Sequence, residues 1–332
     1  MLAMTQTGYG STEVLQLREV DKPEPSDGEV LIRVEAAGLD RGVWHLMAGL
    51  PYPIRLAGYG VRAPKNPVLG MDVAGVIESV DHSVTRFQPG DEVFGVGRGT
   101  FAQYAVALER KLAPKPASLT FEQAGAVPIS AMTALQAVRD HGRVRPGQKV
   151  LVTGASGGVG TYAVQLAKVY GGDVTAVCST SKTDLVRSLG ADHVIDYTRE
   201  DFAASGTQYD VILDIGGNAS LTRLRRALTP YGTAVIVGGE TGGRWLGGTD
   251  RLLRARALSP FVRQRLTTFV NSERHEHLRD LTPLLESGQV KPAIDKVYPL
   301  AETPTAVQHL LDGQARGKLV ITVGAGGRPG AD

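Results

Sequence analysis

The rhythm of apolar and polar positions changes once along this chain, near residue 120. Before that point the apolar runs are short, β-branched and punctuated by glycine and proline. Val30-Leu-Ile-Arg-Val34 predicts a strand, and residues 73–80, with Gly75 near the start, predict another. Pro89-Gly90 marks a turn that returns the chain through Asp91-Glu-Val-Phe94 and on into residues 101–106. Residues 38–67 follow neither a strand nor a helix period, so a long irregular loop is expected there. It holds Asp40, Arg41, Trp44, His45, Tyr52 and Arg55, the kind of residues that functional loops carry. The first third therefore reads as a small β-rich domain.

Thr120-Phe-Glu-Gln resembles a capped helix start, and small apolar residues continue in helical fashion through 124–138. Strands and helices then alternate. Lys149-Val-Leu-Val-Thr153 is a short valine-rich run of the kind buried on both faces of a parallel sheet. Behind it, Ala163, Leu166, Ala167 and Tyr170 share one helical face. Residues 173–178, a helix over 182–189 closed by Gly190, then 193–196, 210–214, a helix over 221–228 and 233–237 extend the series. Such alternation implies an α/β fold, a doubly wound parallel sheet with helices on both sides. Helical stretches at 275–287 and 303–312 precede a terminal strand at 318–323, and residues 324–332 read as a disordered tail.

Between the first strand and helix of that series lies Gly154-Ala-Ser-Gly-Gly-Val-Gly160. Gly157 and Gly158 let a ligand approach the backbone, and Gly160 lets the helix lie tight on its strand. The first-turn amides and the positive end of the helix dipole favour a pyrophosphate there. Ser156, Gly157, Gly158, Val159 and Gly160 are accordingly candidate dinucleotide contacts. Aligned on the usual G-x-G-x-x-G, Ala155 takes the leading place.

Composition narrows the class further. A length of 332 residues exceeds the usual single core and implies two domains. No run of about 18 uncharged apolar residues is present, so no membrane span is expected. The first ten residues show no basic start followed by an apolar core, which points to a cytoplasmic protein. The single cysteine, Cys178, excludes an internal disulfide and any site needing several thiolates, and reads as a small buried apolar residue. With a formal charge of +2, the arginines at 244, 251, 254, 256, 263 and 265 read as a solvated helical face rather than a nucleic-acid surface.

Four stretches occur in order: Asn66-Pro-Val-Leu-Gly-Met-Asp-Val-Ala-Gly-Val-Ile77, Gln88-Pro-Gly-Asp-Glu-Val-Phe94, Gly154-Ala-Ser-Gly-Gly-Val-Gly160 and Leu189-Gly-Ala-Asp-His-Val-Ile-Asp-Tyr197. Together they resemble the zinc-independent medium-chain dehydrogenases/reductases of the quinone oxidoreductase type, over nearly the whole chain. The resemblance implies a GroES-like substrate domain over 1–121, a Rossmann domain over 122–262, and a return segment over 263–323 that completes the first domain. It places the reaction between the domains and makes a homodimer the default. Zinc-dependent relatives carry a cysteine in the first loop and a later Gly-His-Glu. Here stand Leu39-Asp40 and Gly70-Met71-Asp72, without the thiolate and imidazole that a tetrahedral zinc site draws on, so no metal is expected. His275 and His277, two apart on a helix, read as surface residues.

An NAD-specific Rossmann site ends its second strand with an acid that binds the ribose hydroxyls. This chain has Cys178-Ser-Thr-Ser-Lys182 instead. Ser179 and Thr180 offer donors to a 2′-phosphate and Lys182 a compensating charge, which favours NADPH, although the same residues also suit a plain polar helix start. By resemblance Tyr197 reaches this phosphate, and Thr133, Gly216, Gly238 and Gly239 line the dinucleotide cleft. Lys318 reads either as a cofactor contact or as a surface lysine.

Without a metal, the fitting chemistry is hydride transfer to an electron-poor carbon about 3–3.5 Å away, in a small apolar quinone or α,β-unsaturated carbonyl. Tyr52 is the candidate donor to the developing oxyanion, or an aromatic that packs the loop. Asp40 stands where the family often has asparagine. As a carboxylate it needs Arg41 or Arg55 as partner, or else it anchors the loop. His45 beside Trp44 is a proton donor or a pocket wall. Two other readings stay open: a stand-alone enoyl-thioester reductase, whose phosphopantetheine arm would use the arginine run, and a non-enzymatic NADPH-binding protein.

Overall fold

The computed structural model describes residues 1–217, 219–238 and 243–323, and the chain divides into two compact units. One comprises residues 1–132, 273–288 and 292 onward, the other 133–272 and 289–291. Gly239 and the tail expected at 324–332 lie outside the described residues.

The first unit is built on the strand Glu29–Leu39, which is apolar on both faces and pairs antiparallel with three neighbours. The sheet runs in the order Ile294–Pro299, Lys318–Thr322, Glu29–Leu39, Asp72–Val80, Glu92–Val96, Leu112–Pro114, and Tyr104–Leu108 also pairs with Glu29–Leu39. Leu2–Gln6 and Leu15–Glu19 form a separate antiparallel pair. Gly75 is required where two strands cross closely, since a Cβ there would stand 2.2 Å from the Arg33 carbonyl oxygen. The core gathers Val30, Ile32, Val34, Ile77, Val93 and Phe101 with Leu319 and Ile321 from the last strand.

The segment expected to be wholly irregular contains a helix, Arg41–Ala48. Val43 and Met47, four apart, are its buried anchors, and Gly49 at φ +61° ends it in the left-handed conformation. Two anchors in eight residues make too short a pattern to stand out in the sequence. The helix expected over 124–138 is likewise divided. Thr120 forms a full capping box with Gln123 on Phe121–Gly125, and the chain restarts at Pro128 as Pro128–Leu135 before a wide helical turn, Gln136–Gly142. Pro128 lacks the amide that a continuous helix would need.

The second unit is a six-stranded, fully parallel sheet in the order His193–Asp196, Asp173–Cys178, Lys149–Thr153, Tyr209–Asp214, Leu228–Ile236, Arg265–Thr268. In chain order this is 3-2-1-4-5-6, the arrangement of a Rossmann sheet, with its reversal between Lys149–Thr153 and Tyr209–Asp214. The sixth strand moves the end of this unit past the expected boundary at 262 to Ser272, because Arg265–Thr268 pairs with Leu228–Ile236. Four residues with one fully buried side chain, Leu266, carry no readable period.

Candidate functional site

In the second unit, Thr153 ends the first strand and Gly154 follows at φ +64°, where a Cβ would lie 2.8 Å from the Gly216 amide nitrogen. The tight turn that alignment assigns to Ala155 thus falls to Gly154, while Ala155 is fully buried. Gly160 brings the helix Gly158–Val169 against the turn, since a Cβ there would stand 2.1 Å from the Gly154 carbonyl oxygen. Gly157 is different. It is the N-cap, it has no side chain with which to cap the first-turn amides, and a Cβ on it would meet only Gly154 O, at 3.5 Å. A backbone cradle open on one side at the start of a twelve-residue helix fits the pyrophosphate of a dinucleotide. Ser156 sits in this turn, nearly buried.

Across the reversal point the backbone is equally bare. Gly216 N donates to Thr153 O at 3.3 Å, Gly238 N donates to Asp214 O at 3.3 Å, and a Cβ on Gly238 would stand 2.2 Å from Ile215 O. At the end of the second strand, Ser179 is the half-buried entry to a short turn, Thr180–Lys182. The Thr180 hydroxyl donates to the Asp196 carboxylate and lies 3.1 Å from the Thr198 hydroxyl. Bonds from the Thr180 hydroxyl, which contributes most, and from the Thr198 hydroxyl and amide hold Asp196 below the usual carboxylate range. Thr180 therefore shapes the turn with its own proton engaged. Tyr197 is exposed, and its amide donates to Cys178 O at 3.1 Å, so its backbone lies at the end of the second strand, where Ser179 follows. The Cys178 thiol is pushed up by burial and then by the Asp196 charge, which keeps it inert. Thr133 is nearly buried in Pro128–Leu135.

The first unit holds a buried ionic cluster that the sequence shows only in pieces. Lys318 opens the last strand and is 1% exposed. Its Nζ donates to Asp40 Oδ1 at 2.8 Å, Asp72 Oδ2 at 3.0 Å and Ser130 Oγ at 3.4 Å. Ser130 Oγ in turn donates to Asp40 Oδ1 at 2.7 Å, and the Ile129 amide donates to Asp72 Oδ1 at 2.9 Å. The expected partners of Asp40 are thus replaced. Arg41 reaches the Leu310 carbonyl, and Arg55 Nε donates to Gly49 O at 2.8 Å. Gly38 makes room, since a Cβ there would lie 2.5 Å from Asp72 Oδ2.

Three ionisable groups share this site, and their shifts oppose one another. Burial, and then the Asp40 charge, push Asp72 well above the usual carboxylate range. Asp40 feels the same burial, but the Lys318 charge and hydrogen bonds outweigh it and hold it low. Burial likewise works against the Lys318 ammonium, and the two carboxylates more than offset it. Asp40 Oδ2 is buried without a hydrogen-bond partner among the described residues, and the raised Asp72 carboxyl is the neighbour whose ionisation its charge opposes. An ammonium already fills the position between the carboxylates, and Met71, half-buried, brings no metal donor of the usual kind, so the residues do not fit a metal ion. Among the described residues no group of three or more His, Cys, Asp or Glu is placed to hold one.

In the loop beyond the helix, the Arg55 guanidinium lies over two rings, 4.3 Å from the Tyr9 centroid and 4.9 Å from that of Tyr52. Tyr9 OH donates to Gly60 O at 2.6 Å, so this stack ties the ends of the loop together. His45 Nδ1 lies 2.8 Å from Leu50 O and its ring 4.7 Å from that of Trp44, an arrangement that shapes the loop. The arginine run does not form one face. Arg251 turns inward to Asp214, Arg254 pairs with Asp250 at 3.4 Å, and Arg265 donates to His141 O at 3.1 Å. The sequence reading missed Gly154, Ser130 and the Asp72–Lys318 pair. Gly154 sits directly after a strand, a signal that was present, whereas the pairing joins residues 246 positions apart.

The family model described as alcohol dehydrogenase GroES-like domain matches residues 26–117, and that described as zinc-binding dehydrogenase matches residues 189–321. A chloroplastic quinone-oxidoreductase of Triphysaria versicolor is 33% identical, over 97% of this chain and 98% of the relative. The 2-methylene-furan-3-one reductase of Solanum lycopersicum is 35% identical, over 97% and 79%. A mycobacterial structure solved with NADPH superposes with a TM-score of 0.83 at 26% identity, covering 97% of this chain and all of the other. With that coverage, the parallel 3-2-1-4-5-6 sheet and the glycine turn in place, the chain belongs to the medium-chain dehydrogenases/reductases, in their zinc-independent quinone oxidoreductase branch.

Proposed function

We propose that this protein is an NADPH-dependent reductase of small, fairly apolar quinones or α,β-unsaturated carbonyls that works without a metal. The observation that carries the reading is the glycine-rich cradle from Gly154 to Gly160 beside Gly216 and Gly238, whose backbone can take a dinucleotide. The bound cofactor supplies the hydride. This chain's residues hold it: the first-turn amides at Gly158, Val159 and Gly160 on the pyrophosphate, and Ser179, Lys182 and Tyr197 on the 2′-phosphate, with no acid at the end of the second strand to repel it. Thr180 contributes by fixing the turn.

The names of the relatives support the substrate class, one being a quinone oxidoreductase and another a reductase of a methylene-furanone, whose exocyclic methylene is conjugated to a ketone. Tyr52 is the donor to the oxygen on which charge develops, held by the Arg55 guanidinium against its ring. Asp40 acts as a structural carboxylate that fixes the start of the loop helix through Lys318. Lys318 is engaged within the first unit, which supports a structural cation over a cofactor contact. NADPH oxidation followed against a panel of quinones, alkenals, enones and enoyl thioesters tests the reading. Turnover with quinones or enones supports it, turnover confined to enoyl thioesters favours the biosynthetic reductase, and tight NADPH binding with no acceptor-dependent oxidation refutes enzymatic function.

A further inference from the structure

Arg251 stands out among the arginines of residues 244–265 because its side chain is mostly buried and pairs with Asp214, which is completely buried at the end of the fourth strand. Its NH1 donates to Gly217 O at 3.0 Å and to Gly238 O at 3.3 Å, the carbonyls that follow the fourth and fifth strands. Asp214 Oδ1 accepts from Thr153 Oγ1 at 2.7 Å, and Thr153 ends the first strand. One guanidinium thus fastens the exits of three strands at the point where strand order reverses. These exits are glycines and carry no side chains of their own to fix them. Arg251 Nε is buried with no acceptor among the described residues.

We propose that Arg251 is a positioning residue for the cofactor, holding the Gly216–Gly217 and Gly238 backbone in the shape that receives the nicotinamide half of the dinucleotide. The half is assigned by topology. The adenosine ribose is read at the end of the second strand, so the other half lies over the fourth and fifth strands, across the reversal point. Lysine at this position would keep the charge but lose the fork that bonds a carboxylate and two carbonyls at once. The inference rests on the cofactor reading given above.

The test compares binding of NADPH with binding of adenosine 2′,5′-bisphosphate, which carries only the adenosine half. Both are titrated into the wild-type chain and into the Arg251→Met and Arg251→Lys variants, with circular dichroism as the check on folding. The expected result for Arg251→Met is a tenfold or greater rise in the NADPH dissociation constant, with bisphosphate binding changed less than twofold. Arg251→Lys should fall between and serves if the methionine variant does not fold. Equal loss of both ligands assigns Arg251 to general folding and overturns the proposal, as does unchanged NADPH binding. If the wild-type chain binds neither ligand, the cofactor reading itself fails.

Discussion

Replacing Lys318 with methionine keeps most of the side-chain volume and removes the charge. What remains is Asp40, buried and facing Ser130 and the Asp72 carboxyl, with no cation at hydrogen-bond distance. Removing one partner of a buried ion pair costs about 3–5 kcal/mol, and nothing at this site offsets it. The pH dependence gives the sharper signature. In the wild-type chain Asp40 is held low, so its contribution is present above the ordinary carboxylate range and lost as pH falls through its folded value. Asp72 and Lys318 are held high, so theirs are present below the ordinary value of each group and lost as pH rises through the folded one. Without the ammonium, burial outweighs the remaining bonds from Ser130 and Asp72 and raises Asp40, so the variant gains stability toward acid where the wild-type chain loses Asp40's share. Trp44 lies in the first unit and Trp245 in the second, so urea denaturation followed by fluorescence in a Trp245→Phe background reports on the unit that holds the cluster. Lys318→Met should lose about 3–5 kcal/mol at neutral pH and less near pH 4, and Asp40→Asn added to it should restore part of the loss. A loss below about 1 kcal/mol, or a penalty independent of pH, would refute the charge assignment.

The glycines of the turn separate binding from folding. Gly157→Ala should weaken NADPH binding with an unchanged melting temperature, whereas Gly160→Ala, which puts a Cβ 2.1 Å from the Gly154 oxygen, should lower both. Lys182→Ala should raise KM for NADPH about tenfold and leave that for NADH within twofold, the loss of one charge-assisted contact to the 2′-phosphate; equal effects on both cofactors would assign Lys182 to the turn alone. Tyr52→Phe should lower kcat by about 10²-fold with little change in the KM for NADPH, and full turnover in that variant would make Tyr52 a packing residue and water the proton source.

The architecture was legible where chemistry is local. Valine-rich strands at 149–153, 173–178 and 210–214 and the glycines between them specify a parallel sheet and a dinucleotide turn with no knowledge of distant contacts. What stayed hidden is non-local or short. Arg265–Thr268 is a strand only because Leu228–Ile236 offers it an edge. Asp40 could be recognised as a carboxylate in need of a cation, but the nearby arginines were the natural guess, and the cation that serves it comes from the far end of the chain. In the same way, an arginine run reads as a solvated face until the fold turns Arg251 inward onto Asp214.

The central claim is that hydride moves from NADPH to a conjugated acceptor without help from a metal. It is tested most directly by following NADPH and NADH oxidation at fixed quinone and enone concentrations, in protein treated with a strong chelator. The account predicts acceptor-dependent oxidation that chelation leaves unchanged and that favours NADPH over NADH by about tenfold or more, the worth of one charge-assisted 2′-phosphate contact. Activity that disappears on chelation and returns with zinc, or a preference for NADH, would contradict it.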